Sequence, residues 1–177
     1  MPSNIEIKLR VDDLTTVESK AAALANYGPE LLVQTDTFFN VPTGRLKLRQ
    51  FDDGKSELIA YQRSDSATVR ESKWSRYLID SAQSAEELRE TLAMATPPTA
   101  IVHKRRTLYL IGQTRVHLDR VDQLGDFVEL EVVLNNEQTT AQGTSIANGL
   151  ITSLGMKNAE RISHAYADLL DEVSGRD

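Results

Sequence analysis

Cysteine is absent from the 177 residues, which excludes disulfides, thiolate metal sites and a cysteine nucleophile. A reducing cytoplasm is the compartment this suits. Long apolar runs are missing too, and none approaches the ~18 residues that span a membrane. The opening Met1-Pro2-Ser3-Asn4-Ile5-Glu6 has neither the basic start nor the apolar stretch of a signal peptide. Positive charge is in deficit, with a net charge of −6, so a general nucleic-acid binder is not expected. Neither nucleic acid nor a membrane is therefore an expected partner. Low-complexity segments, linkers and repeats are also lacking, and residues 1–177 read as one domain.

What is present is alternation. Asn4 to Val11 places polar residues at 4, 6, 8 and 10 and apolar ones between them, the period of a strand with two unlike faces. Asp12 and Asp13 can cap a helix over 14–26, which Gly28-Pro29 would end. Further strands are expected over 31–39, 45–49, 57–62 and 74–79, with a flexible loop over 64–72. Ser84 and Glu87 have capping-box spacing for a short helix ending near Met94. Strands over 100–111, 114–121 and 127–134 follow, then helices over 138–154 and from Ser163 onward. About eight strands and four helices joined by short turns make an α+β fold with an antiparallel sheet.

The polar faces are sorted by sign. Arg45, Lys47, Arg49, Lys104 and Arg106 share faces of two basic segments. Glu6, Glu129 and Glu131 mark acidic ones, and Asp119 shares a face with Arg115 and His117. Basic strands among acidic strands call for something between them. A polyphosphate with a bound metal satisfies both signs: guanidinium and ammonium groups bind phosphoryl oxygens, and carboxylates bind Mg²⁺ or Mn²⁺. Closing the sheet into a barrel would remove its edges, put apolar outer faces under the helices and leave a wet, charged interior.

These blocks resemble the CYTH, or triphosphate tunnel metalloenzyme, superfamily, which includes class IV adenylyl cyclases, thiamine triphosphatases and inorganic triphosphatases. Asn4-Ile5-Glu6-Ile7-Lys8 is similar to its Glu-x-Glu-x-Lys first strand, with Asn in place of the first Glu. Gln34 to Phe39 with Gly44 to Arg49, Lys104-Arg105-Arg106, Asp119 to Glu131, and Tyr166-Ala167-Asp168-Leu169-Leu170 resemble later blocks in the same order. The resemblance implies an eight-stranded antiparallel tunnel with amphipathic helices outside and a triphosphate inside. It implies Glu6, Asp119, Glu129 and Glu131 as metal ligands, with Asn4 as an uncharged one. It implies Lys8, Arg45, Lys47, Arg49, Lys104 and Arg106 as phosphate ligands. Arg115 is a further candidate from its face, and Arg63 stands in for a lysine the family often carries on the fourth strand. Glu6, Lys8 and Glu131 are the implied catalytic groups.

The implied activity is triphosphate hydrolysis or ATP cyclisation, on ATP, thiamine triphosphate or inorganic triphosphate, by a monomer or homodimer. Class IV cyclases carry a His-Phe pair shortly before the first-strand motif. This chain has only three residues there, which turns the expectation toward a triphosphatase, while Asn4 keeps a non-catalytic triphosphate binder in view. Among the rest, Arg105 should face outward by parity and His103 should lie outside or at the rim. His117 reads as a supporting group, Trp74 as core or rim packing and Tyr166 as a packing anchor.

Overall fold

The computed structural model describes residues 4–63 and 72–175, without the side chains of residues 63, 72 and 73. Most of the loop expected over 64–72 thus lies outside the described residues, as does the side chain of Arg63. The strands are β1 (Asn4–Arg10), β2 (Tyr27–Phe39), β3 (Arg45–Phe51), β4 (Ser56–Arg63), β5 (Ser72–Ile79), β6 (Pro98–Ile111), β7 (Thr114–Val121), β8 (Gly125–Val133) and the two-residue β9 (Glu160–Arg161). The helices are α1 (Leu14–Leu24), α2 (Ala82–Ala95), α3 (Thr140–Ser153) and α4 (Tyr166–Ser174). None is long and apolar enough to cross a membrane.

All strands belong to one antiparallel sheet, ordered β5-β4-β3-β2-β6-β7-β8-β1-β9. The expected closure takes a different form. Among the described residues no hydrogen-bonded ladder joins β5 to the β1–β9 edge. Yet Trp74 and Arg76 of β5 line the same cavity as Glu6 and Lys8 of β1. The right-handed twist of a long sheet curls it until its two ends face each other, so it wraps a barrel-like space without being stitched shut.

Among the described residues, three apolar cores hold this shape. On the outer face, Ile5, Ile7 and Leu9 of β1 and Val128, Leu130 and Val132 of β8 pack against α1 and α3 through Leu14, Val17, Ala147 and Ile151. A smaller core sets α2 on the other half of the sheet through Leu48, Ile79, Ala85 and Leu88. The last core lies on the inward face and belongs to α4, whereas α1, α2 and α3 pack outside as expected. Tyr166, Leu169 and Leu170 of α4 pack on Phe38, Val102, Val121 and Phe127, and both Phe38 and Tyr166 also line the cavity. Toward one end the inward face of the sheet turns apolar, and α4 seats there as a floor.

Local signals explain the element bounds. Asp13 accepts from the Thr16 amide at 3.0 Å and starts α1. Ser81, rather than Ser84, caps α2 by accepting from the Ser84 amide, so that helix begins earlier than its capping-box spacing suggested. Gly28-Pro29 does not follow a helix end but lies inside β2, at an irregularity in its pairing with β6. Gly28 has φ +109°, and a Cβ there would lie 2.6 Å from the Leu108 carbonyl oxygen, so the backbone approach admits only glycine.

Candidate functional site

Residues paired across antiparallel strands present side chains on the same face, and the register therefore assembles the interior. Glu6 pairs with Glu131 and Lys8 with Glu129 between β1 and β8. His117 pairs with Glu129 between β7 and β8, and Asp36 pairs with Arg49 between β2 and β3. The cavity that results holds about 280 Å³. Its walls include Lys8, Lys47, Arg49, Arg76, Lys104 and Arg106 against Glu6, Asp36, Glu57, Glu129 and Glu131.

One wall is organised by Asp36, a residue the sequence did not single out. The residue is 1 % exposed. It accepts from Arg49 Nε at 2.7 Å and Nη2 at 2.8 Å, from Lys47 Nζ at 2.9 Å and from Lys104 Nζ at 3.4 Å. Burial alone would raise its pKa, but Arg49, Lys104 and Lys47 hold it well below the usual carboxylate range. Three cations sharing one anion leave a surplus of positive charge in a poorly hydrated place. Burial, with Arg106 and Arg49 adding to it, lowers Lys104 to about 7. Burial and the adjacent Arg49 lower Lys47 to about 8. These two ammonium groups keep their protons more readily when an anion arrives.

The opposite wall is acidic. Glu129 accepts from Arg106 Nη2 at 2.8 Å. Burial would raise its pKa, but Lys8 and Arg106 keep it well below the usual range. Glu131 accepts from Arg115 Nη1 at 3.1 Å and from the Asn4 amide. Lys8 Nζ lies 4.0 Å from the centre of the Tyr166 ring and donates to the His164 carbonyl at 3.3 Å. His117 is buried, with Nδ1 3.9 Å from Glu129, and burial followed by Arg106 lowers its pKa.

Three sequence expectations change here. Asp119 is not with the glutamates at the cavity surface. It is fully buried and takes two bonds of 2.6 Å from Arg106 and one of 2.8 Å from the Tyr166 hydroxyl, so its oxygens are committed to holding Arg106 and α4. Arg45 shares parity with Lys47 and Arg49 but lies toward the end of the sheet, where both terminal nitrogens donate to Asp168 of α4 at 2.8 Å; it lines a separate cleft. Arg115 is half exposed, and among the described residues its ion pair with Glu131 is what links it to the site. Arg105 and His103 are exposed, as parity requires, and His103 pairs with the Thr35 hydroxyl. Gln62 is exposed. Trp74 is at the rim, 49 % exposed. Tyr166 anchors α4 through Asp119 and also carries Lys8 on its ring, a contact no sequence period reveals.

The donor set suits a hard divalent cation. Glu6, Glu129 and Glu131 line the cavity, and Asn4 Oδ1 beside Glu131 is buried with no hydrogen-bond partner among the described residues. Oxygen ligands of this kind select Mg²⁺ or Mn²⁺. Among the described residues no three acidic or histidine side chains are gathered into a cage. Mg²⁺ characteristically binds through one or two carboxylates and substrate phosphates, keeping several waters, and these residues fit that mode.

A model of the CYTH domain matches residues 3–166. The chain is 24 % identical over 178 aligned positions to adenylate cyclase CyaB of Aeromonas hydrophila, covering 95 % of this chain and 88 % of that protein. Its fold is similar to the PH1012 protein of Pyrococcus horikoshii OT3, with a TM-score of 0.80 and 25 % identity over 94 % of this chain and 98 % of that one. It is also similar to HpAC1 of Hippeastrum, a candidate adenylyl cyclase reported to have a dominant triphosphatase activity, with a TM-score of 0.68 and 14 % identity over 100 % of this chain and 97 % of that one.

Proposed function

The chain belongs to the CYTH domain family, and from that premise we propose that it is a divalent-metal-dependent enzyme hydrolysing a triphosphate held in its charged cavity. The observation that carries this reading is the Asp36 cluster: Lys47, Arg49 and Lys104 converge on one buried carboxylate and face glutamates across the same space. A single carboxylate cannot saturate three cations, and phosphoryl oxygens supply the missing charge.

Lys47, Arg49, Lys104 and Arg106 bind and orient the phosphates in this reading, with Lys8 at the acidic side. Arg49 is held by two bonds to Asp36, so its charge is in place before phosphoryl charge develops and needs no reorganisation. One or two carboxylates from Glu6, Glu129 and Glu131, with Asn4 Oδ1 beside Glu131, would hold Mg²⁺ or Mn²⁺ together with substrate phosphates. A cation there supplies Lewis-acid neutralisation of phosphoryl oxygens. Asn4 contributes no charge to that set, and its amide is tied to Glu131.

The test is a melt followed by a product assay. Inorganic triphosphate with Mg²⁺ or Mn²⁺ is expected to raise the melting temperature, since a ligand at 100 times its Kd adds about 2.7 kcal/mol to the native state. No shift with either metal would sink the reading. Phosphate release from inorganic triphosphate, ATP or thiamine triphosphate is then expected. A second reading, cyclisation of ATP, is favoured by the likeness to adenylate cyclase CyaB along 95 % of the chain. Cyclic AMP and pyrophosphate as the main products would establish it instead.

Proton linkage gives an independent check. Lys104 titrates at about 7 and Lys47 at about 8 without ligand, and an adjacent polyanion raises both. Binding of inorganic triphosphate at pH 8 is therefore expected to take up protons, measured as a binding heat that varies with the ionisation enthalpy of the buffer. Affinity should fall as pH rises from 7 to 9. The ligand-free fold has the opposite sign: these lysines release protons early in the native state, so their contribution to stability rises with pH above about 7. A binding heat independent of buffer at pH 8 would contradict the assignment of these two lysines.

A further inference from the structure

The wall formed by β4 and β5 is unlike the rest of the cavity. Tyr61 and Trp74 are directly paired across these strands, and both face the cavity with Ile59 beside them. Trp74 keeps 49 % of its surface exposed, although a tryptophan is usually the side chain a fold most gains by covering. The two rings adjoin the phosphate-binding cations: Lys47 Nζ lies 5.8 Å from the centre of the Tyr61 ring. The aromatic pair and the cationic wall thus adjoin within one cavity.

The sign of the charge at this wall narrows the ring. Arg76 places its guanidinium carbon 5.8 Å from the centre of the Trp74 ring. The nearby carboxylate of Glu57 is engaged by Arg76 at 3.0 Å. Positive charge thus sits at the aromatic pair and its neighbouring anion is committed, which disfavours a cationic heterocycle and suits a neutral one.

We propose that Tyr61 and Trp74 form a shelf for a flat, neutral heterocycle, so that the preferred ligand is a nucleoside triphosphate rather than inorganic triphosphate or a thiazolium-bearing ester. This rests on the triphosphate reading above and adds a second subsite to it. Phosphates lie on the Lys47–Arg49–Lys104 wall and the base stacks on the shelf. Stacking tolerates any base because each has a π-face, so the shelf selects a nucleotide without choosing among bases.

The chain has a single tryptophan, so its emission reports on the shelf alone. Titrating the β,γ-imido analogue of ATP with Mg²⁺ is expected to quench that emission saturably. Inorganic triphosphate with Mg²⁺ should displace the analogue without quenching. By calorimetry, Trp74→Ala is expected to weaken the analogue roughly ten- to hundredfold and inorganic triphosphate by less than about twofold, with Trp74→Phe recovering most of the loss. Trp74 is exposed enough for both variants to fold. Equal losses for the two ligands, or none for either, overturns the shelf and leaves the triphosphate site standing. Failure of both ligands to bind the wild-type protein overturns shelf and site together. Tighter binding of thiamine triphosphate than of the ATP analogue overturns the choice of a neutral ring.

Discussion

Arg106→Ala is expected to destabilise the fold by about 3–5 kcal/mol, the usual cost of removing one partner from a buried ion pair. Arg106 is 7 % exposed and bonds Asp119 through two nitrogens and Glu129 through one. Without it, the buried Asp119 and the part-buried Glu129 share a corner of the sheet with no guanidinium between them. The pH dependence identifies the cause. In the wild type, burial would raise Asp119, but Arg106 lowers it to about 2, so its contribution is present above the unfolded carboxylate range and lost only in strong acid. In the variant, burial dominates and raises the same carboxylate. Its native form is then favoured below the unfolded range and penalised as pH rises. Urea unfolding should therefore show a deficit that is larger at pH 7.5 than at pH 5. A deficit independent of pH would mean that lost packing, rather than uncompensated charge, is responsible.

Glu131→Gln and Lys8→Ala are each expected to lower turnover of triphosphate by roughly 10²–10³-fold, the range seen when one preorganised electrostatic group is removed from an active site. They should do so differently. Glutamine keeps the shape of residue 131 but not its charge, so the Mg²⁺ or Mn²⁺ concentration needed for half-maximal rate should rise. Lys8→Ala removes an ammonium held between Tyr166 and Glu129, so kcat should fall while the metal requirement changes little. Arg105, exposed on the outer face of β6, is the control, and Arg105→Ala should leave the rate unchanged. Equal loss from all three variants would contradict the placement of these residues on opposite faces of the sheet.

The strands of this fold were legible because their two faces differ. Asn4 to Arg10 alternates without a break and so does the shorter run Arg115 to Asp119, and the structure places both in antiparallel strands. The charged interior was legible in outline for the same reason. Asp36 was not, because it sits between two threonines, and the cations that surround it belong to two other strands. The parity of Arg45 was correct, but its partner Asp168 lies on a helix more than a hundred residues later, and parity carries no information about where along a strand the cavity ends. The floor was hidden because Phe38, Val102, Val121 and Phe127 lie on inward faces that look like any apolar core. Tyr61 and Trp74 could not be matched beforehand, since the register of β4 against β5 does not follow from the composition of the segment joining them.

The helix that floors the cavity has a temporal consequence. Folding during synthesis proceeds from the N-terminus at about 5–20 residues per second. All eight long strands, with every cation of the Asp36 wall and every glutamate opposite, leave the ribosome before α4 does. A nascent sheet can therefore display its charges before Tyr166 arrives to bind Asp119 and support Lys8. The growing chain passes through a stage with walls and no base, and competence for its ligand is acquired late, when α4 docks.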